Sequence, residues 1–192
     1  GNGMEAIIEG KNPTKKTVAL RADMDALPII EESDKPYKSK NNGVMHACGH
    51  DVHTSSLLST ANILFQLKDE FEGTIKFIFQ PGEEVFPGGA SLMIKEGILE
   101  NPKPGAIFGQ HVMPLVPVGK VGFRKGMYMA SADELYVTVT GKGGHGALPE
   151  HNIDPVVIAS HIIIALQQIV SRMAPPKIPS VLSFGKVIAN GA

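Results

Sequence analysis

The segment Thr74-Ile75-Lys76-Phe77-Ile78-Phe79-Gln80 constrains the fold more than any other. It is apolar almost without interruption and rich in β-branched and aromatic side chains. That is the pattern of a strand covered on both faces, not of one with a face in water. Such strands belong inside mostly parallel sheets with helices packed on either side. The flanking segments agree. Residues 4–9 and 17–22 read as short strands separated by the polar turn Gly10-Lys11-Asn12-Pro13. Over residues 51–71, Val52, Leu57, Leu58, Ala61, Leu64, Phe65 and Leu67 recur with a helical period, and Asp51 stands where it could cap the first turn. Residues 88–96 form a second helical pattern stopped at Gly97, residues 105–110 a further strand, and residues 118–123 one more. Strand, helix, strand, helix, strand in that order predicts an α/β domain: a mostly parallel sheet flanked by helices. Ligands in such domains collect beyond the carboxyl ends of the strands.

The character changes near Lys125. Residues 133–140 alternate apolar and polar with period two, as an antiparallel strand with one wet face does. Gly141-Lys142-Gly143-Gly144-His145-Gly146 follows as a loop, and Asp154-Pro155 supplies a cap and first residue for a helix. Val156, Ala159, Ile163, Leu166, Val170 and Met173 mark its expected buried stripe, Pro175-Pro176 its end, and residues 180–189 a last strand. Two domains are therefore expected, over 1–124 and 125–192, the second the start of an α+β unit. A net charge of −1 over 192 residues, no Lys/Arg block and few aromatics argue against a nucleic-acid partner. No apolar run approaches the roughly eighteen residues of a membrane span. A single cysteine excludes an internal disulfide. Both ends, Gly1-Asn2-Gly3 and Gly191-Ala192, read as cuts in a longer chain.

Chemistry concentrates in Met45-His46-Ala47-Cys48-Gly49-His50-Asp51-Val52-His53, which holds the only cysteine and three of the seven histidines. Cys48 and His50, two residues apart, can reach one ion or two adjacent ions, and Gly49 lets the backbone turn between them. Alone, this could equally be a buried cysteine beside solvated histidines. Gln80-Pro81-Gly82-Glu83-Glu84 and Gly109-Gln110-His111 add two more turns bearing ligand types, at strand ends. Asp23-Met24-Asp25 closes a third strand, either as a turn device or as a carboxylate orienting a metal ligand. The helix N-terminus beside Cys48 should favour its thiolate. If Cys48, His50, Glu84 and His111 surround one or two divalent ions, the donor types suit zinc best, with manganese, cobalt or nickel also compatible. Water on such an ion is acidified to a pKa of about 7. Glu83 would take its proton and pass it to the leaving group. His145, in its glycine loop, is either an oxyanion-stabilising imidazole or an exposed loop residue. Asp25, Glu83 and His145 form the candidate catalytic set. His46 and His53 suit supporting or capping roles, and His151 and His161 ordinary surface and packing roles.

With these residues laid out, the chain resembles the metallopeptidase family of aminoacylase, hippurate hydrolase and the auxin-conjugate amidohydrolases, most closely its amidohydrolase branch. The matching stretches are Arg21-Ala22-Asp23-Met24-Asp25-Ala26-Leu27-Pro28, the cluster from His46 to His53, Gln80 to Glu84, Gly109 to Val112, and Gly143-Gly144-His145-Gly146-Ala147 with Asp154-Pro155. The resemblance implies a binuclear site with Cys48, His50, Glu84 and His111 as ligands and Glu83 as general base. It implies a lid domain through which a homodimer forms, His145 reaching into the partner's site, and a cytoplasmic location. The implied reaction is hydrolysis of the amide in small N-acyl amino acids. A dipeptidase or aminopeptidase using the same site, or a noncatalytic metal-binding or dimerisation fragment, are the other readings. The family runs to roughly twice this length, with a last histidine ligand beyond residue 192. Glu150 also stands where the branch usually has histidine, with His151 one place later.

Overall fold

Strand β3 (Thr74–Gln80) lies between β1 (Met4–Glu9) and β2 (Thr17–Asp23), and β2 carries β4 (Ala106–Gly109) on its other side, giving the order β1-β3-β2-β4. The strands β2, β3 and β4 run parallel, and only β1 is antiparallel, against β3. The parallel strands are linked through helices α1 (His50–Gln66) and α2 (Gly89–Lys95). This computed structural model describes residues 1–190, and the chain divides into two units, Gly1–Val121 and Gly122–Ala192.

The period of two along β3 sorts its side chains onto two cores. Phe77 and Phe79 pack with Ile8, Ala22 and Leu57 beneath α1, while Ile78 packs with Ala19 and Met93 beneath α2. Each of the Ile, Leu, Met and Phe side chains among them, fully buried, contributes about 1.5–3 kcal/mol. Lys76 shares the α2 side and is wholly buried, at 0% exposure. Its ammonium donates to the carbonyls of Ile98 and Glu100 at 2.8 and 2.7 Å and pairs with Glu5 Oε1 at 2.8 Å. All three protons of the ammonium thus have acceptors, which is what makes a buried lysine tolerable.

The structure departs from the sequence reading in several places. α1 ends at Gln66, and its cap position is held by Gly49, at φ +83°, with Asp51 exposed inside the first turn. Only Leu57 of the periodic apolar residues is buried, Ala61 and Leu64 being partly so; Val52, Leu58, Phe65 and Leu67 are exposed. The buried face starts instead with His50 and His53, so the stripe reads His50, His53, Leu57, Ala61, Leu64. α1 rests mainly on β2, a narrow contact that covers one stripe of the helix. Residues 118–123 form no strand, because a turn closed by the Lys120 amide on the Pro117 carbonyl occupies their start, with Gly119 at φ +82°.

In the second unit, α3 (Pro155–Gln168) opens as expected, Asp154 Oδ1 accepting from the amides of Val156 and Val157. It continues as a wider turn, Ile169–Met173, before Pro175-Pro176. None of its expected stripe is buried: Ala159, Ile163 and Leu166 are half-buried, and Val156, Val170 and Met173 exposed. Residues 133–140 and 180–189 are not strands, since alternation makes a strand only where another edge takes its hydrogen bonds, and no described segment does. Pro155–Met173, at 19 residues and mean hydropathy 1.6, is long and apolar enough by length and composition to cross a membrane, contrary to the expectation above. Its Gln167, Gln168 and Arg172 would be costly in hydrocarbon, and a packing helix has the same composition.

Candidate metal centre

The carboxyl ends of β2, β3 and β4 are followed by Asp25, Glu83 with Glu84, and His111, and the N-terminus of α1 adds Cys48 and His50. These six gather in the first unit. Gly49 is required between Cys48 and His50 on two counts. Its φ is left-handed, and a Cβ there would run into Val112, so the Cys48 turn and the His111 turn could not approach. His50, at 1% exposure, sits at the centre. Its Nδ1 lies 3.2 Å from Asp25 Oδ1, and Asp25 Oδ2 accepts the Glu84 amide at 2.9 Å. Asp25 therefore ties the α1 turn to the Glu83-Glu84 turn.

The other nitrogen, His50 Nε2, is buried and has no hydrogen-bond partner. Around it stand Glu84 Oε1 at 3.8 Å, Glu83 Oε2 at 4.0 Å and Asp23 Oδ2 at 3.8 Å. A buried nitrogen without a partner is costly. An ion binding nitrogen and oxygen at about 2.0–2.2 Å would hold them at comparable separations. Cys48 Sγ lies 3.3 Å from His111 Nε2. Cys48, His50 and His111 form one group with ligand atoms within 4.8 Å of one another, and His50, Glu83 and Glu84 form another. The donor set fits one or two divalent ions of the zinc type.

The electrostatics of these groups follow from burial, from the carboxylates around Cys48 and from the hydrogen bonds to Asp23 and Asp25. Burial, together with Glu84, Glu83 and Asp23, pushes the Cys48 thiol up to about 11. The helix N-terminus therefore does not hold Cys48 as a thiolate, as the sequence suggested, because burial and the nearby carboxylates outweigh its partial positive charge; a bound cation would invert that balance. Burial is the largest single influence on Asp23 and Asp25 and opposes their ionisation. It is outweighed at Asp23 by the His53 hydrogen bond with the charges of Arg21, His50 and His53, and at Asp25 by the amides of Glu84, Glu83 and Asp25 with the His50 hydrogen bond, so both carboxyls lie below their ordinary value of 3.8. Groups lowered on folding stabilise above the unfolded value and lose that contribution as pH falls through the folded one. The urea midpoint of the metal-free protein is expected to fall steeply below about pH 4, and less steeply in Asp23→Asn.

Glu83 has 43% of its side chain exposed and Glu84 25%. His111 is exposed, its Nδ1 2.6 Å from the Val112 carbonyl, which leaves Nε2 toward Cys48. His145 belongs to the second unit. There its Nδ1 accepts from the Ala147 amide at 3.1 Å, and its carbonyl accepts from Asn152 Nδ2. His46 and His151 are exposed, and so is His161, which the sequence placed in packing; the face of α3 that carries it is uncovered. Asp23 is the residue that sequence reasoning left out of the site: it is buried and receives His53 Nδ1 at 2.6 Å and Arg21 Nη1 at 2.7 Å. The signal that could have found it is the helical stripe shared by His50, His53 and Leu57, which turns both histidines toward the end of β2.

The chain is 46% identical over 187 residues to an N-acyl-L-amino acid amidohydrolase of Geobacillus stearothermophilus, covering 97% of this chain and 50% of that protein. It is 49% identical over 175 residues to the IAA-amino acid hydrolase ILR1-like 2 of Arabidopsis thaliana, covering 91% of this chain and 39% of that one. Among solved structures it is similar to the Bacillus subtilis YXEP protein, described as a dinuclear metal binding peptidase from M20 family, with 39% identity and a TM-score of 0.61 over 86% of this chain and 43% of that one. The chain spans about half the length of the curated relatives it matches. The model of Peptidase family M20/M25/M40 matches residues 19–189. That match takes in every ligand-bearing turn described above and the glycine loop of His145, and the chain belongs to this peptidase family.

Proposed function

We propose that the protein carrying this chain hydrolyses the amide bond of N-acyl amino acids, with Cys48, His50, Glu84 and His111 holding two divalent ions, zinc by preference. The observation that carries this reading is the buried, partnerless His50 Nε2 facing Glu83 and Glu84, with Cys48 and His111 alongside. The names of the relatives support the substrate class. Divalent ions there would polarise the amide carbonyl and acidify water. Glu83, the more exposed of the two carboxylates, takes the proton from the attacking water and delivers it to the leaving amine. Asp25 acts through its neighbours, holding His50 and the Glu84 amide in register. His145 accepts the Ala147 amide at Nδ1, so its proton is on Nε2, free to donate to a developing oxyanion. Self-association is assigned to the second unit, whose α3 stripe is unburied in the single chain. Gel filtration of the full-length protein at the monomer mass would remove that part.

Elemental analysis of the full-length protein tests the metal reading: two ions per chain are expected, with loss in Cys48→Ala and His50→Ala. A parallel panel of N-acetyl amino acids and free-amine dipeptides tests the substrate. Turnover of the dipeptides alone would replace the N-acyl reading with a dipeptidase one.

A further inference from the structure

Behind the candidate ligands runs a partly buried polar chain that the proposed reaction does not use. Arg21 Nε donates to Gln80 Oε1 at 2.8 Å, and Arg21 Nη1 donates to Asp23 Oδ2 at 2.7 Å. Asp23 Oδ1 lies 2.6 Å from His53 Nδ1, and His53 Nε2 lies 2.9 Å from the amide nitrogen of Val112. That last contact decides the chemistry of the ring. A backbone amide can only donate, so Nε2 must be the bare, accepting nitrogen, and the ring proton must be on Nδ1, donated to Asp23. Both nitrogens of His53 are then occupied. Although Asp23, His50 and His53 lie close enough to be counted as a possible ligand trio, His53 has no lone pair left for an ion.

The four side chains and one amide touch every segment that bears a ligand. Gln80 ends β3, immediately before the Pro81 to Glu84 turn; Arg21 and Asp23 lie on β2, immediately before Asp25; His53 lies one turn of α1 beyond His50; and Val112 follows His111. The His53 ring also packs between its neighbours, 5.5 Å from the His50 ring and 4.6 Å from the His111 ring, centroid to centroid. His111, by contrast, is exposed and follows β4, whose residues are all exposed. Upstream of His111 the turn is held by Gln110 Nε2, which donates to Ser56 Oγ at 3.0 Å, and by the pairing of Gly109 with Arg21, but neither contact fixes the Val112 amide. We infer that His53, locked in one tautomer by Asp23, is a positioning residue that anchors the Val112 amide and so places His111 against Cys48 for metal binding.

This inference rests on the metal-centre reading, and two measurements separate them. Side-chain ¹⁵N spectra of the metal-free, full-length protein should show His53 protonated at Nδ1 and bare at Nε2. The opposite tautomer would overturn the inference whatever the metal does. Zinc affinity, measured by competition with a chromogenic chelator, should fall about 10–100-fold in His53→Ala, with the number of ions at saturation unchanged. His53→Gln, whose amide oxygen can still accept from Val112, should recover part of the loss. Unchanged affinity in a folded His53→Ala, or the loss of a whole ion, would overturn the inference, the second by making His53 a ligand. Should His53→Ala not fold, the tautomer decides. Absence of zinc binding in the unaltered protein would instead overturn the metal reading, and the unaltered protein's own titration tells the two failures apart.

Discussion

Glu83→Gln in the full-length protein is expected to lower kcat on N-acyl amino acids by about 10²–10⁴-fold, the usual contribution of a general base, while leaving the bound metal in place. Glutamine keeps the size and the turn but cannot take a proton. Glu84→Gln should differ in kind, losing metal first and activity as a consequence. Distance alone does not divide the two roles, since the carboxylates stand 4.0 and 3.8 Å from His50 Nε2. Exposure and tethering do. Glu84 is the more buried, and its amide is held by Asp25, as a ligand's backbone should be. Glu83 faces outward, where a substrate and water would arrive. Elemental analysis and steady-state kinetics on both variants read this directly. Near-normal kcat in Glu83→Gln would sink its role as base, and metal loss in Glu83→Gln with retention in Glu84→Gln would exchange the two assignments.

The second large effect concerns stability and lies away from the site. Lys76→Met is expected to destabilise the protein by on the order of 3–5 kcal/mol, because hydrogen bonds to a charged group contribute about 1.5–3 kcal/mol each and removing one partner of a buried set leaves the others unsatisfied. The carbonyls of Ile98 and Glu100 lose their donor together, and the segment between α2 and β4 loses these two bonds to β3 while keeping the packing of Ile98 and Leu99 against the core of Ala19, Ile78 and Met93. Glu5→Gln should cost about 1 kcal/mol or less, because Glu5 is 36% exposed and its pairing is screened by water. Urea unfolding of the two variants distinguishes a lysine that serves the two carbonyls from one that serves the ion pair. Equal losses would show that the Glu5 contact dominates.

Much of this arrangement is legible in the chain itself. The nearly continuous apolar run of β3 announces a strand with two buried faces, and its neighbours in sequence supply the parallel partners and the helices. The ligand types fall at strand ends and beside one glycine because a parallel sheet places all its carboxyl ends together. Where sequence reading failed, it failed on elements that need a partner. The alternation of residues 133–140 is a property of that segment, whereas a strand is a property of two segments. The extra apolar residues of α1, among them Leu58 and Phe65, carry the right period but lie outside the single stripe that β2 covers.

The sequence by itself determined the order of the elements through β4, the parallel sheet and the residues of a type able to bind a metal, since periodicity, turn chemistry and ligand type are local properties. Only the tertiary structure decided that His50 keeps one nitrogen free, that His53 has none, that Asp23 belongs to the site and that the Cys48 thiol is raised. Each of these depends on a contact between distant residues: His50 with Asp25 across 25 positions, His53 with Asp23 across 30, and Val112 with His53 across 59. A side chain's protonation and tautomer are set by what the fold brings within a few ångströms of it, and no local pattern carries that information.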